Sequence, residues 1–230
     1  VKLDQLCIIS DNKSVRYAEL QGELEILTRF VFFNNINYIY KYDYKTLTDY
    51  DRSMFSTNAI DRIIRLNYSE GQITDRSLAV CLNHLEALTK IGFDSDPNLW
   101  SIICEDDIYI ANKSSFENEL CDLTALPNDA GIVWISSGKK PLDSTFRDVT
   151  GFDYVDCPKP VGRYVNIQRS RYADCILIKN ETAKFIANKF IEHKFATPID
   201  WEYNYLFSLY PQIISYWMMP ALIQQNPKFF

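Results

Sequence analysis

Glycine is scarce in this chain: 7 among 230 residues, at positions 22, 71, 92, 131, 138, 151 and 162. No two are separated by a single residue, so a Gly-x-Gly-x-x-Gly turn is absent, and no P-loop pattern occurs either. Any phosphate bound here is not cradled by a glycine loop. Histidine is scarcer still, with only His84 and His193. A His-rich metal site is excluded, and a Ser-His-Asp triad would have to use one of these two. The 6 cysteines contain no C-x-x-C pair, which argues against a zinc ribbon or a dithiol redox motif. Basic residues are outnumbered, 24 Lys plus Arg against 30 Asp plus Glu, for a net charge of −6. Counterion-release binding to DNA or RNA needs a basic face, so the balance argues against nucleic acid. No apolar run approaches the ~18 residues that span a bilayer; the longest, over 216–223, is broken by Pro220.

What is present alternates between two periods. Residues 6–9, 100–104, 131–135, 175–178 and 213–218 are short apolar runs that read as buried strands, and 38–42 is β-branched and aromatic. Between them lie helical patterns. Ser14 can cap a helix over 15–29, and Thr74 caps a clear one in which Leu78, Leu82, Leu85 and Leu88 form a stripe that Gly92 would end. Further helices are expected over 57–66, 114–122, 180–193 (capped by Asn180) and 200–209. The 137–166 stretch reads as one long connection, of the kind that is usually functional. Strands alternating with helices predict an α/β/α sandwich with a mostly parallel central sheet. We expect one domain over 1–230, its first part to about 112 and its second from 113. Cys7, Cys81, Cys104 and Cys175 lie in apolar runs and read as free buried thiols. That fits a reducing compartment, the cytoplasm, with a signal or anchor outside these residues left open.

The strongest chemical signal is Glu105-Asp106-Asp107 at the end of the 100–104 strand. Adjacent carboxylates repel, and a cation between them relieves the repulsion. In open α/β sheets ligands bind beyond the carboxyl ends of strands, and oxygen-only ligands suit Mg²⁺ or Mn²⁺. A solvated acidic turn is the alternative reading. Asp200, in Pro198-Ile199-Asp200-Trp201-Glu202, is either a helix N-cap or a functional residue, a base or a second metal ligand. Asp174 stands alone before an apolar strand and needs a partner. His84 lies beside the apolar stripe and His193 at a helix end, where a cation is favoured. Arg163, Arg169 and Arg171 form a basic cluster that could clamp an anion or be a solvated face. Trp201 and Tyr203 could make an aromatic platform, or belong to the core.

Five segments in order resemble glycosyltransferase family 25, which includes lipooligosaccharide and collagen galactosyltransferases. Residues 8–16 resemble I-N-L-D-R-S-x-x-R and keep Asp11 and Arg16. Residues 73–84 resemble L-T-x-G-E-I-G-C-x-L-S-H, keeping Thr74, Leu82 and His84, with Arg76-Ser77 replacing the Gly-Glu pair and Ala79 the later Gly. Residues 103–108 resemble I-L-E-D-D-V. Leu177-Ile178 with Ala183 resembles L-I-S-x-x-G-A, with Thr182 for Gly, and Pro198-Ile199-Asp200 resembles P-V-D or P-I-D.

The resemblance implies a GT-A-type, Rossmann-like hexosyltransferase of glycan biosynthesis. It would move galactose or glucose from a nucleotide sugar such as UDP-hexose to a glycan or glycoprotein hydroxyl, with inversion. By that analogy Asp107, with Glu105, would hold Mn²⁺ or Mg²⁺ on the diphosphate, and Asp106 would support them. Ile8, Ile9, Ser10, Asp11, Arg16 and His84 would line the nucleotide-sugar site. Asp200 would be the general base, with Glu202 and Asp174 as reserves. A non-catalytic nucleotide-sugar- or glycan-binding homologue and a metal-dependent phosphohydrolase are the alternatives.

Overall fold

The protein is described by a computed structural model covering residues 2–11, 15–56, 58–66, 73–110, 113, 116, 118, 126–136, 163–170, 172–218 and 221–229. The chain runs β1 (Lys2–Ile9), α1 (Val15–Phe30), β2 (Phe32–Ile39), α2 (Asp49–Arg52), α3 (Ala59–Leu66), α4 (Asp75–Asp94), β3 (Trp100–Glu105) and β4 (Ile108–Ile110). It continues through β5 (Ile132–Trp134), β6 (Tyr164–Asn166), β7 (Cys175–Lys179), α5 (Asn180–His193), α6 (Ile199–Leu209), β8 (Ser215–Met218) and β9 (Ile223–Gln225). Most of the expected helix at 114–122 and of the 137–166 connection lies outside the described residues, as do Ser14, Cys121, Cys157 and Arg171.

Seven strands form the central sheet in the order β2-β1-β3-β7-β5-β8-β6. The strands β2, β1, β3, β5 and β8 point one way; β7 and β6 run against them. This is the α/β/α sandwich with a mostly parallel sheet that the alternating pattern predicts. Side chains on a strand alternate between faces, and the two cores follow that alternation. Leu6, Ile8, Ile102, Cys104, Cys175 and Leu177 pack under α1. Cys7, Ile9, Ile103, Ile176 and Ile178 face α4, α5 and α6 on the other side. Both faces of β1, β3 and β7 are covered, which is why these strands read as continuous apolar runs.

Four expectations change. The second strand is Phe32–Ile39 rather than 38–42. It is an edge strand, and its Asn34, Asn35 and Asn37 mask the pattern because only Phe33 and Ile39 are buried. Residues 164–166, placed in the long connection, pair with β8 as β6. Asn180 is not a cap: the cap of α5 is Lys179, and the Asn180 side chain bonds Ser101, Asp4 and the Asp96 carbonyl inside the fold. Finally, α4 runs through Gly92 to Asp94. A Cβ at Gly92 would lie 2.5 Å from the Lys184 backbone, so this glycine lets α4 pack directly on α5 rather than ending the helix. A similar device sits at Gly131, where a Cβ would meet Thr182 Oγ1 at 2.8 Å. Thr182 is accommodated by a glycine across the contact.

Candidate active site

Three strand ends meet at one place. β1 and β3 are parallel neighbours with Ile9 opposite Glu105, so their carboxyl ends finish side by side. β7 enters antiparallel with Cys175 opposite Cys104, which sets Asp174 beside Glu105; the Glu105 N–H donates to the Asp174 carbonyl at 2.7 Å. The abrupt switch from apolar to acidic residues at 105 is therefore the point where the chain leaves the sheet. Ser10 Oγ follows β1 and donates to Asp106 Oδ2 at 3.2 Å. Arg16, from the first turn of α1, approaches both Asp107 Oδ2 (3.5 Å) and Asp106 Oδ1 (3.7 Å). Its guanidinium also lies over the Phe229 ring. The C-terminal segment closes on the same turn, with the Asn226 N–H donating to the Asp107 carbonyl at 2.6 Å.

The other face contributes from α4 and α6. His84 is fully buried, and its Nε2 lies 2.9 Å from Glu105 Oε1. Asp200 sits in the first turn of α6, where Ser170 Oγ donates to its carbonyl at 2.6 Å. Glu105, Asp106, Asp107, Asp174 and Asp200 thus gather around one end of the sheet, with Arg16 and His84 as the opposing groups.

The electrostatics follow from that crowding. Burial is the largest cause pushing the Asp107 carboxyl up to about 7; Glu105 and Asp106 add to it, and Arg16 pulls against it. Asp174 is raised well above the ordinary carboxyl range by burial, then by Glu105, Asp107 and Asp200. Asp200 is raised to about 6 by burial and Glu105, while His84 and the N–H groups of Asp200 and Ala173 lower it. Asp107 Oδ1, Asp174 Oδ2 and His84 Nδ1 are buried without a hydrogen-bond partner. Buried polar atoms are normally paired, and orphaned carboxylate oxygens among like charges are places a cation would satisfy.

Among the described residues no three His, Cys, Asp or Glu side chains are grouped closely enough to hold a metal on their own. The donor set fits a different arrangement. Mg²⁺-type ions are often held by one or two carboxylates, with substrate phosphates completing the shell. Asp107, with its orphaned oxygen, is the residue such an ion would meet.

Other expected residues land elsewhere. The Ile8 and Ile9 side chains are buried on opposite faces of the sheet, in the two cores. Asp11 follows Ser10 at the mouth of β1, half-buried. Tyr203 is a core residue, stacked edge-on against Trp134 and Phe190, so it is no platform. His193 is not the helix-end cation. Burial lowers its pKa, and it bonds Tyr210 Oη at 2.7 Å. Arg62 takes that place, donating to the His193 and Lys194 carbonyls at 2.7 Å each. Arg62 also reaches Glu202 Oε2 at 2.5 Å, while Glu202 Oε1 accepts from the Ala196 and Thr197 N–H groups and the Thr197 hydroxyl. Both oxygens of Glu202 are engaged within the fold. The sequence points to Arg62 only weakly, since its partners are more than 130 residues away.

Beside Asp200 a cavity of about 400 Å³ opens, lined among others by Trp201, Asn204, Ser208, Arg65, Arg169 and Tyr172. Trp201 and Arg169 were expected to matter; Arg65, Asn204 and Tyr172 were not. Tyr172 has φ +60°, a left-handed conformation uncommon for a bulky residue and a signal available only from structure.

No protein-family model matches the chain, and no curated protein matches it. Solved structures similar to it include mouse xyloside xylosyltransferase 1 in its apo form (8% identity, 93% of this chain and 84% of that one, TM-score 0.45). An active-site mutant of LgtC aligns at 10% identity over 96% of this chain and 86% of that one, TM-score 0.45. A glycosyltransferase involved in glycosylation of the major capsid of PBCV-1 aligns at 10% identity over 98% and 92%, TM-score 0.45. At such scores these likenesses assign no family and no activity. Among the described residues no helix is long and apolar enough to cross a membrane.

Proposed function

We propose that the protein is a metal-dependent glycosyltransferase that moves a hexose from a nucleotide sugar, UDP-galactose or UDP-glucose by the family 25 resemblance, to a hydroxyl of a glycan or glycoprotein. The observation that carries this reading is the buried carboxylate cluster at the joined ends of β1, β3 and β7, with Asp107 Oδ1 left unpaired. A diphosphate without a glycine loop needs a cation, and this is the place in the described fold that asks for one. Asp107 would hold Mn²⁺ or Mg²⁺, with Glu105 nearby. The ion would supply Lewis acidity to the departing diphosphate.

The chain's own residues do the rest. Ser10 orients Asp106 by its hydrogen bond, and Arg16 tempers the acidic turn from the side of α1. His84 holds Glu105 from within the α4 core, so that this carboxylate has a fixed direction at the strand end. The acceptor hydroxyl needs a base in a transfer with inversion. Asp200 fits it best: it borders the cavity, its carboxyl is raised to about 6, and it is ionised at neutral pH. The Asp174 carboxyl is raised well above the ordinary range by burial and its acidic neighbours, and Glu202 is held by Arg62 and Thr197.

The test is a transfer assay on Asp200→Asn. A general base contributes about 10²–10⁴-fold. The variant should lose transfer by that factor while binding the nucleotide as before. Normal transfer by Asp200→Asn would remove Asp200 from the reaction.

A further inference from the structure

The cavity beside Asp200 has a direction. Asp200, Asn204 and Ser208 stand at i, i+4 and i+8 of α6, on one helix face, and all three line it. At 1.5 Å per residue, the Ser208 end is about 12 Å from the Asp200 end. The two ends differ in charge. Asp200 marks one, and Arg169 also stands on the wall. At the other, Arg65 of α3 donates through Nη2 to the Ser208 carbonyl at 3.3 Å. A guanidinium has five N–H donors, and this is its one hydrogen bond among the described residues. Between the ends, Asn204 Oδ1 is occupied by the Ser170 N–H, at 2.7 Å. That contact fixes the amide so that its Nδ2, unpaired among the described residues, is offered as a donor. Trp201 and Tyr172 add aromatic surface to the walls, and Tyr172 is held there in its left-handed conformation. Apolar rings with a few placed polar groups, in a cavity of this size, suit a sugar ligand.

Two arginines, Arg65 and Arg169, stand on the wall of this cavity in an acidic protein, which selects for an anionic ligand. An anion about 12 Å along from Asp200 would meet Arg65. We propose that this cavity binds an anionic glycan, with its reactive hydroxyl at Asp200 and a carboxylate or phosphate, carried on the neighbouring ring, at Arg65. Arg65 is then a specificity residue, and a single sugar is too short to satisfy both ends. The inference rests on Asp200 as the acceptor base, and it adds the charge and minimum length of the acceptor.

The test is a protein-observed NMR titration with four probes: cellobiose, cellobiouronic acid, 6-phosphocellobiose and methyl glucuronide. Either or both anionic disaccharides should bind at least tenfold tighter than cellobiose and than the anionic monosaccharide; which of them does so identifies the anion. Arg65→Gln should erase the preference, and Arg65→Lys should keep part of it. Arg65 is exposed, so the fold should tolerate both changes. Equal affinity for charged and neutral disaccharides, no sugar binding, or a charge preference that survives Arg65→Gln would overturn the proposal. UDP binding with Mn²⁺, measured on the same samples, separates this outcome from the fate of the transferase reading. Nucleotide binding without charge selection sinks only the acceptor inference. Charge selection without nucleotide binding keeps the anionic-glycan site and sinks the transferase reading.

Discussion

Two buried carboxylates in this protein are held in opposite ways. Glu202 is fully buried, yet its oxygens meet the Arg62 guanidinium, two backbone N–H groups and the Thr197 hydroxyl. Arg62 in turn satisfies the last carbonyls of α5 and stacks on the Tyr205 ring. Burial still raises the Glu202 carboxyl, but every nearby group works to keep it charged. Asp107 is almost as buried, with one oxygen on Arg16 at 3.5 Å and the other on nothing. Its nearest carboxylates add repulsion. Breaking a completed ion pair strands a charge; removing a frustrated charge relieves the fold. The first arrangement ties α3, α5 and α6 together. The second holds charge that the fold alone does not compensate, which is what a binding site for a cation requires.

The largest expected effect tests the satisfied side. Arg62→Ala leaves Glu202 buried without its counter-ion and should cost about 3–5 kcal/mol of unfolding free energy in urea titration. A loss under about 1 kcal/mol would mean the pair is not what holds α3 in place. The frustrated side should respond with the opposite sign. Asp107→Asn should raise stability at pH 8 by roughly 1–3 kcal/mol, because it removes a buried charge with no full partner. Unchanged or lowered stability would mean that Asp107 is already compensated.

A smaller effect lies in pH. The Asp107 carboxyl is raised to about 7 in the folded protein, against 3.8 ordinarily. Between these values the folded state keeps a proton that the unfolded state has released. Stability of the metal-free protein should therefore fall as pH rises from about 4 to 7 and level off above that. Asp174 and Asp200 are shifted in the same direction and contribute in the same sense. The thermal midpoint of Asp107→Asn should fall less steeply over that window than that of the wild type. Parallel profiles would mean that Asp107 titrates alike folded and unfolded.

The sequence showed the frustrated side far better than the satisfied one. Glu105-Asp106-Asp107 is visible because three acids interrupt a local apolar run, and Asp174 because it opens another. Both signals are carried by adjacent residues. Arg62 and Glu202 are 140 positions apart, and each looks like an ordinary helix-surface charge until the fold joins them. The sheet was legible where both faces are covered, in β1, β3 and β7. It was misread at the edge, where β2 carries three asparagines, and at β6, a three-residue strand inside a loop-like stretch. Gly92 looked like a helix end because a glycine needed for close packing and one needed for a turn are the same letter. The Asp200 cavity was half visible, through Trp201 and Arg169. Arg65 was not, since it comes from α3.

The cation role of Asp107 is tested most directly by calorimetric titration of UDP into the wild type and Asp107→Asn, each with Mn²⁺ and with chelator. Mn²⁺ should tighten UDP binding to the wild type at least tenfold and have no effect on Asp107→Asn. UDP binding unchanged by chelation in the wild type, or an undiminished Mn²⁺ effect in Asp107→Asn, would contradict that role.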